Sequence, residues 1–316
     1  MASNAEIDYS HFCPIANLDN LNEILNEHGV AVLPSVFSEN ECDNLIASLR
    51  EYVFKEYKIA TPNDYERLRP LKGGIFQNYG ISLINQVLDF KTDQKAIEPF
   101  QHIWGEQDLI TSLDGVFMGP PPEQTDKKKL FSKHHDTWFH TDQASNKKEF
   151  CCVQGAINLE HIEHGDGCLS VLTKSHNYHR EFFETFGIDT KGRNWFLLKE
   201  NHLDWYKSKG CEWKMITAPK GSMVFWDSRT IHMGTLPRAD RANKDRWRYI
   251  VYVCYAPLSW QSKDDVKLKK KAYVNNQCTS HWPYKVVLFP KRDDDDKIND
   301  LRKLTNRHRK YIFGME

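Results

Sequence analysis

Residues Cys211–Gly234 read CEWKMITAPKGSMVFWDSRTIHMG, two β-type runs joined at Pro219-Lys220-Gly221. Proline cannot donate a ladder hydrogen bond and glycine tolerates left-handed backbone, so the tripeptide reads as a turn between strands. In the second run Met223 and Phe225 alternate with residues of the opposite face, the period of a core strand. That run is expected to close on His232. A histidine ending a core strand stands on a rigid support, as a metal ligand must.

Outward from this stretch the same kind of text recurs. EFCCVQGAINLEHI (Glu149–Ile162) is β-rich, HGDG (His164–Gly167) is a turn, CLSVLTKSH (Cys168–His176) holds another strand, and RWRYIVYVCYAPL (Arg246–Leu258) ends the β text. Upstream, HGVAVLPSVF (His28–Phe37) is a short β run interrupted by Pro34. Ser38 and Glu41 then form a capping box, and Cys42, Leu45, Ile46, Leu49 and Val53 share one helical face. Arg180–Gly210 is aromatic, charged and punctuated by glycine, an insertion of loops and short helices. Beyond Gln261, KLKKK (Lys267–Lys271) and DDDDK (Asp293–Lys297) read as solvated segments before a helical tail.

With no repeat and no βαβ alternation, these elements predict a mainly β sandwich or barrel with flanking helices. The 316 residues suit one elaborated domain. Its expected parts are a strand and helix region at 1–100, a core barrel at about 100–260, an insertion at about 178–210 and a charged extension at 261–316.

The chain is 40% hydrophobic and 12% aromatic, enough for a substantial core, and its 43 Lys+Arg balance 43 Asp+Glu. That balance supplies no global attraction to nucleic acid or an anionic membrane. Eight cysteines lack CxxC spacing, and MASNAEIDYS lacks the plan of a signal peptide. Reduced thiols in a cytoplasmic protein are expected. No apolar run approaches the roughly 20 residues that span a bilayer.

His-x-Asp occurs at His134/Asp136, His140/Asp142, His164/Asp166 and His202/Asp204, so the tripeptide alone decides nothing. The chemistry to test is the face of two histidines and one carboxylate that holds iron(II) and leaves the opposite side open. It needs one His-x-Asp and a distant histidine, for which His232 is the candidate. His161, His164, His176, His179, His202 and His281 lie in turns, loops or charged segments and are poorer candidates. An open iron site of this kind needs an anchor for a co-substrate such as 2-oxoglutarate, whose far carboxylate suits a bidentate guanidinium. Arg238 and Arg241 fall in a polar turn and are expected to be solvated. Arg246 and Arg248 share a strand face with Ile250, Tyr252 and Cys254; Arg248 lies deeper and is preferred. Lys127–Lys129, Lys133, Lys147 and Lys148 read as loop charges, and LKGGIFQNYG (Leu71–Gly80) suits either a pocket wall or turn packing.

Four blocks, HGVAVLPSVFSENECDNL, LEHIEHGDGCLSVLTKSH, KGSMVFWDSRTIH and WRYIVYVCYA, resemble in order the phytanoyl-CoA dioxygenase family of iron(II)/2-oxoglutarate oxygenases. The resemblance runs from about His28 to Leu258. It implies a double-stranded β-helix, a jelly-roll or cupin-like barrel, with the His-x-Asp shortly before VQGAINLEH. Carried over, the metal ligands are His140, Asp142 and His232, while His134 and Asp136 come one loop too early. Arg248 becomes the 2-oxoglutarate anchor, and Trp138 and Thr235 join it as cofactor-binding residues. The run from His232 to Arg248 is longer than usual, which keeps Arg246 in competition. Gly234 stands where many members have a small hydroxyl residue.

The implied cofactors are Fe(II), 2-oxoglutarate and O2, with ascorbate in support. The implied reaction hydroxylates an unactivated C–H bond and releases succinate and CO2. The expected partner is a small-molecule substrate, with a peptide or nucleotide left open. The competing readings are a zinc-type hydrolase or isomerase on the same ligands, and a catalytically silent β-barrel that binds a partner.

Overall fold

A computed structural model describes residues 11–59, 61–68, 74–77, 80–125, 138–290 and 300–315. The chain begins with β1 (His11–Phe12), α1 (Leu21–His28), β2 (Val30–Leu33), α2 (Glu39–Tyr57), β3 (Ile75–Phe76), α3 (Asn85–Lys91) and α4 (Gln94–Trp104). Strands β4 (Leu109–Thr111), β5 (Val116–Gly119), β6 (His140–Thr141), β7 (Val153–Asn158) and β8 (Leu169–Leu172) follow. The insertion holds α5 (His179–Thr185), β9 (Phe196–Leu197) and α6 (Glu200–Ser208). The β text resumes with β10 (Trp213–Ile216), β11 (Met223–Asp227), β12 (His232–Gly234) and β13 (Arg248–Pro257), before α7 (Lys263–Val274) and α8 (Asn306–Phe313).

Two sheets result, the double-stranded β-helix expected from the resemblance. The major sheet runs β2-β11-β7-β13-β5-β3, with β4 also paired to β13, and the minor sheet runs β1-β10-β8-β12-β6-β9. Val32, Ala156, Val224, Trp226 and Ile250 of the major sheet meet Val171, Met215 and Ile216 of the minor sheet in the barrel core. The alternate residues Ala31, Leu33, Met223, Phe225, Val251 and Val253 pack on the opposite face against the helices. Every residue of β2, β7 and β11 is therefore buried.

The first long helix forms as its sequence predicts. Ser38 Oγ accepts from Glu41 N at 3.3 Å and Ser38 N donates to Glu41 Oε2 at 2.8 Å, satisfying end groups that α2 cannot pair internally. Its face buries Cys42, Leu45, Leu49 and Val53 against the major sheet. Each large aliphatic of that face contributes roughly 1.5–3 kcal/mol by leaving water. The Pro219-Lys220-Gly221 turn also holds. Gly221 has φ +76°, and a Cβ there would lie 2.0 Å from the Phe37 carbonyl oxygen, so only glycine fits.

Three sequence expectations need correction. β11 ends at Asp227, and His232 opens β12 in the other sheet. The Asp227 carboxylate accepts from Arg229 N at 2.8 Å, Thr230 N donates to Asp227 O at 2.8 Å, and this side-chain-stabilised turn carries the chain across. The insertion is more than loops and helices, because β9 pairs with β6 and places Leu197 opposite His140. Nor is KLKKK wholly solvated. Lys269 is completely buried in α7, its Nζ donating to Gln261 Oε1 and Ile312 O at 3.0 Å each. DDDDK and Arg292 lie outside the described residues. Among the described residues no helix is long and apolar enough to cross a membrane.

Candidate metal centre

His140 and His232 each open their strand, and the antiparallel β6–β12 register makes them direct partners. Directly opposed residues project from the same face, and their ring centroids lie 4.4 Å apart. Asp142 follows His140 by one strand period, its amide donating to Ser228 O at 3.1 Å. Asp142 Oδ1 is 3.6 Å from His140 Nε2, and Oδ2 is 3.4 Å from His232 Nε2. Among the described residues this is the one group of three such side chains whose donor atoms lie within 4.8 Å of one another.

Backbone carbonyls set the imidazole tautomers. His140 Nδ1 donates to Trp138 O at 3.1 Å and His232 Nδ1 donates to Thr230 O at 2.9 Å. A carbonyl only accepts, so each Nδ1 carries the proton and each Nε2 presents a lone pair toward Asp142. Burial, with His232 alongside, brings His140 down to about 4 despite the nearby Asp142 carboxylate. It is neutral at neutral pH, the form that ligates a metal. Burial alone would raise the Asp142 carboxyl, but His140, His281 and His232 outweigh it and hold it well below the usual carboxylate range.

The residues fit a divalent cation. Donors at right angles and about 2.1 Å from one ion stand about 3 Å apart, close to the spacings found. Two imidazoles and one carboxylate, with no thiolate among them, form the donor set of an open iron(II) face.

Trp138 braces this face. Its ring stacks on His140, with centroids 4.7 Å apart and planes at 14°, and its Nε1 donates to Gly234 O at 2.9 Å. Gly234 leads on to Arg248. A Cβ at Gly234 would stand 3.6 Å from Trp138 Cζ2 and 4.0 Å from Arg248 Nη1. Arg248 therefore lies one aromatic layer from a ligand histidine.

Arg248 opens β13 with its guanidinium 4.7 Å from the centre of the Phe117 ring, in a pocket shared with Gly119, Gly167 and Thr235. Its Nε is buried without a hydrogen-bond partner, and no carboxylate of the described residues pairs with it. The competitor Arg246 is engaged, its Nη1 donating to Glu163 Oε2 at 2.7 Å and Asp166 Oδ2 at 3.0 Å. Thr235 lies in the Arg248 pocket with its hydroxyl accepting from Cys168 N at 3.0 Å and donating to Cys168 O at 3.2 Å.

Arg241 departs from expectation. It is 4% exposed, grips Glu123 through two 2.8 Å bonds and reaches Asp166 at 3.1 Å. The polar turn is drawn inward because Glu123 and Asp166 need a buried counter-charge. Arg241→Met, which leaves Glu123 without its counter-charge and Asp166 with Arg246 alone, is expected to lower unfolding stability by about 3 kcal/mol in urea denaturation. A loss below about 1 kcal/mol would contradict the pairing.

Five histidines set aside in the sequence make other contacts. His176 bonds Asn26 O at 2.9 Å, His179 bonds Gln143 O at 3.1 Å, and His202 Nδ1 accepts from Lys199 N at 3.2 Å. His161 Nδ1 accepts from Lys220 N at 3.2 Å, and His164 packs its ring 4.1 Å from that of His11. Lys148 pairs with Glu184 at 2.7 Å, and Lys147 sits 3.6 Å from the centre of the Trp282 ring. His134, Asp136, Lys127–Lys129 and Lys133 lie outside the described residues. Of Leu71–Gly80, Ile75 and Phe76 form β3 on β5, and part of the stretch lies outside the described residues.

Two residues at the centre escaped the sequence reading. Gln154 donates from Nε2 to Asp142 Oδ2 at 2.9 Å. Its one signal in the sequence is a glutamine within the run VQGAIN, whose other polar residue, Asn158, ends the strand. His281 Nδ1 lies 4.0 Å from the same Oδ2. Burial opposes its charge, yet Asp142, Cys152 and Asp114 bring it up to about 9. The aromatic CTSHWPY around it was the available signal within the charged extension.

The fold and the site together define an oxygenase of the cupin-like class. A family model described as phytanoyl-CoA dioxygenase matches residues 25–240, and the chain belongs to that family. A relative in Aspergillus versicolor, Ava biosynthesis cluster protein O, is 25% identical over 223 residues, 68% of this chain and 68% of that protein. Among solved structures, hypothetical protein JW0805 from Escherichia coli aligns with TM-score 0.62 at 14% identity, covering 96% of this chain and 86% of the other. EctD from S. alaskensis, with bound Fe, aligns with TM-score 0.51 at 11% identity and 82% coverage of each chain. At these identities the structural likenesses speak for the fold alone.

Proposed function

We propose that the protein is an Fe(II)- and 2-oxoglutarate-dependent dioxygenase that hydroxylates an unactivated C–H bond of a small organic substrate. The observation that carries this reading is the pair of facing histidines, both Nδ1 atoms held by carbonyls and both Nε2 atoms turned to Asp142. His140, Asp142 and His232 hold the metal. When bound, iron with 2-oxoglutarate and O2 supplies the oxidising power, with succinate and CO2 as by-products and ascorbate in support.

The protein's own part is placement. Arg248, half-buried and without an acidic partner among the described residues, pairs the far carboxylate of 2-oxoglutarate; a guanidinium there matches a carboxylate in two bonds. Trp138 walls the space between His140 and Arg248. Thr235, engaged with Cys168, shapes the pocket floor. A zinc hydrolase would have no use for that unpartnered cation in the pocket, which favours the oxygenase reading over the alternative.

The whole of 1–316 acts as one oxygenase domain, with the barrel at about 100–260 and the insertion and extension shaping substrate choice. Its free cysteines accord with a reducing, cytoplasmic setting. The test is a metabolite and peptide screen with Fe(II), 2-oxoglutarate and ascorbate, read as succinate. Substrate-dependent succinate that stops without oxygen is expected. Substrate consumption that continues anaerobically without 2-oxoglutarate, followed on the substrate itself by mass spectrometry, would point to the hydrolase instead.

A further inference from the structure

One row of side chains crosses the minor sheet from the barrel core to solvent. The registers pair Val171 of β8 with His232 of β12, His232 with His140 of β6, and His140 with Leu197 of β9. Directly opposed residues project from one face, so Leu197 shares the face that carries both histidines and lines the barrel interior at Val171. Val171 is fully buried, His232 and His140 are buried, and Leu197 is 43% exposed. The barrel's inner face therefore opens to solvent at the β9 edge, one residue from a metal ligand. Phe196 and Leu198 take the opposite face and pack in the aromatic cluster of the insertion, Phe196 with its ring centroid 5.5 Å from that of Phe183. By the same alternation Trp195 falls on the Leu197 side. Its ring centroid is 5.9 Å from that of His140, yet the residue is 52% exposed.

We propose that Trp195 and Leu197 form the substrate-binding wall of the metal centre, and that the substrate they select presents a flat aromatic ring system. This rests on the oxygenase reading above and deepens it by naming the substrate class. An edge strand that holds two large apolar side chains in water exposes surface of the kind that marks a ligand groove. Here that surface leads directly to His140. Among the described residues the His140 imidazole is the one ring that Trp195 meets, which leaves the rest of its indole face open. An open indole face stacks on a planar ring, and a puckered saturated ring of the same size cannot match that contact. Phe196 and Leu198, anchored from behind, hold the strand in place, so the wall is set before substrate arrives.

The test is anaerobic calorimetry of the full chain loaded with Mn(II) and 2-oxoglutarate. The probes are 2-naphthol and decahydro-2-naphthol, its puckered counterpart with the same carbon skeleton. Wild type is expected to bind 2-naphthol about 10-fold or more tighter than the saturated probe. Trp195→Ala is expected to weaken 2-naphthol about 5- to 50-fold and to leave the saturated probe nearly unaltered, erasing the preference. Trp195→Phe, which keeps a ring, is expected to recover most of it. Leu197→Ala should weaken both probes alike, by about threefold. Both positions are exposed, so the variants should fold and bind Mn(II) as wild type does. Equal affinity of wild type for the two probes, an undiminished preference in Trp195→Ala, or loss of Mn(II) affinity in that variant would overturn the wall and leave the metal centre standing. A wild-type chain that binds no Mn(II) would instead remove the oxygenase reading itself.

Discussion

Asp142→Asn is expected to lower 2-oxoglutarate-dependent succinate formation by at least ~10³-fold, about 4 kcal/mol of lost stabilisation. The substitution keeps the side chain's shape while removing the only negative charge among the three ligands. Two neutral imidazoles then face a dication without a counter-ion. The amide also brings its own N–H groups toward Nε2 lone pairs or toward Gln154, whose Nε2 donates to Oδ2 in the native chain at 2.9 Å. The loss should appear in metal titration as well as in turnover, with the melting temperature largely retained. Retention of metal affinity within about threefold would mean that Asp142 is not a ligand.

The second large effect is expected at Arg248. Arg248→Met removes a charged fork and should raise the KM for 2-oxoglutarate by ~10²–10³-fold, from the roughly 2–5 kcal/mol lost when one partner of a buried charged pair is truncated. Metal binding without 2-oxoglutarate should be unchanged, because Arg248 touches none of the three ligands among the described contacts and Trp138 lies against His140 on its side. Arg248→Lys should recover only part of the effect, since an ammonium cannot match a carboxylate in two parallel bonds. Arg246→Met provides the contrast. Its guanidinium is committed to Glu163 and Asp166, so its loss should lower stability and leave the KM nearly unaltered. Steady-state kinetics with 2-oxoglutarate varied at saturating metal separate the two arginines.

Much of this was legible in the sequence because it depends on short-range rules. The capping box at Ser38, the turn at Gly221 and the alternation through Met223 and Phe225 express local backbone preferences that tertiary packing did not override. The choice of His140 over His134 came from the family resemblance, and the strand alternation alone could not supply it. What was not legible depends on partners distant in the chain. Arg241 looked solvated because its counter-charges, Glu123 and Asp166, lie in other segments. Lys269 looked solvated because its acceptors, Gln261 and the carbonyl of Ile312, meet it only once α7 and α8 pack. His281 was set aside for the same reason: its charged surroundings concealed that Trp282 and Tyr284 fasten it to the barrel. The β11–β12 boundary failed differently: Asp227, Ser228 and Arg229 break the apolar alternation after Trp226, a turn signal that the strand reading ran through on its way to His232.

An anaerobic titration of Fe(II) into the protein with 2-oxoglutarate, followed by visible absorption, tests the assignment most directly. A charge-transfer band from chelated 2-oxoglutarate is predicted to saturate at one iron per chain in wild type. It should be absent in Asp142→Asn and should need far more 2-oxoglutarate in Arg248→Met. A wild-type chain that develops no band, or an Asp142→Asn chain whose band matches wild type, would contradict an iron and 2-oxoglutarate site built on His140, Asp142 and His232.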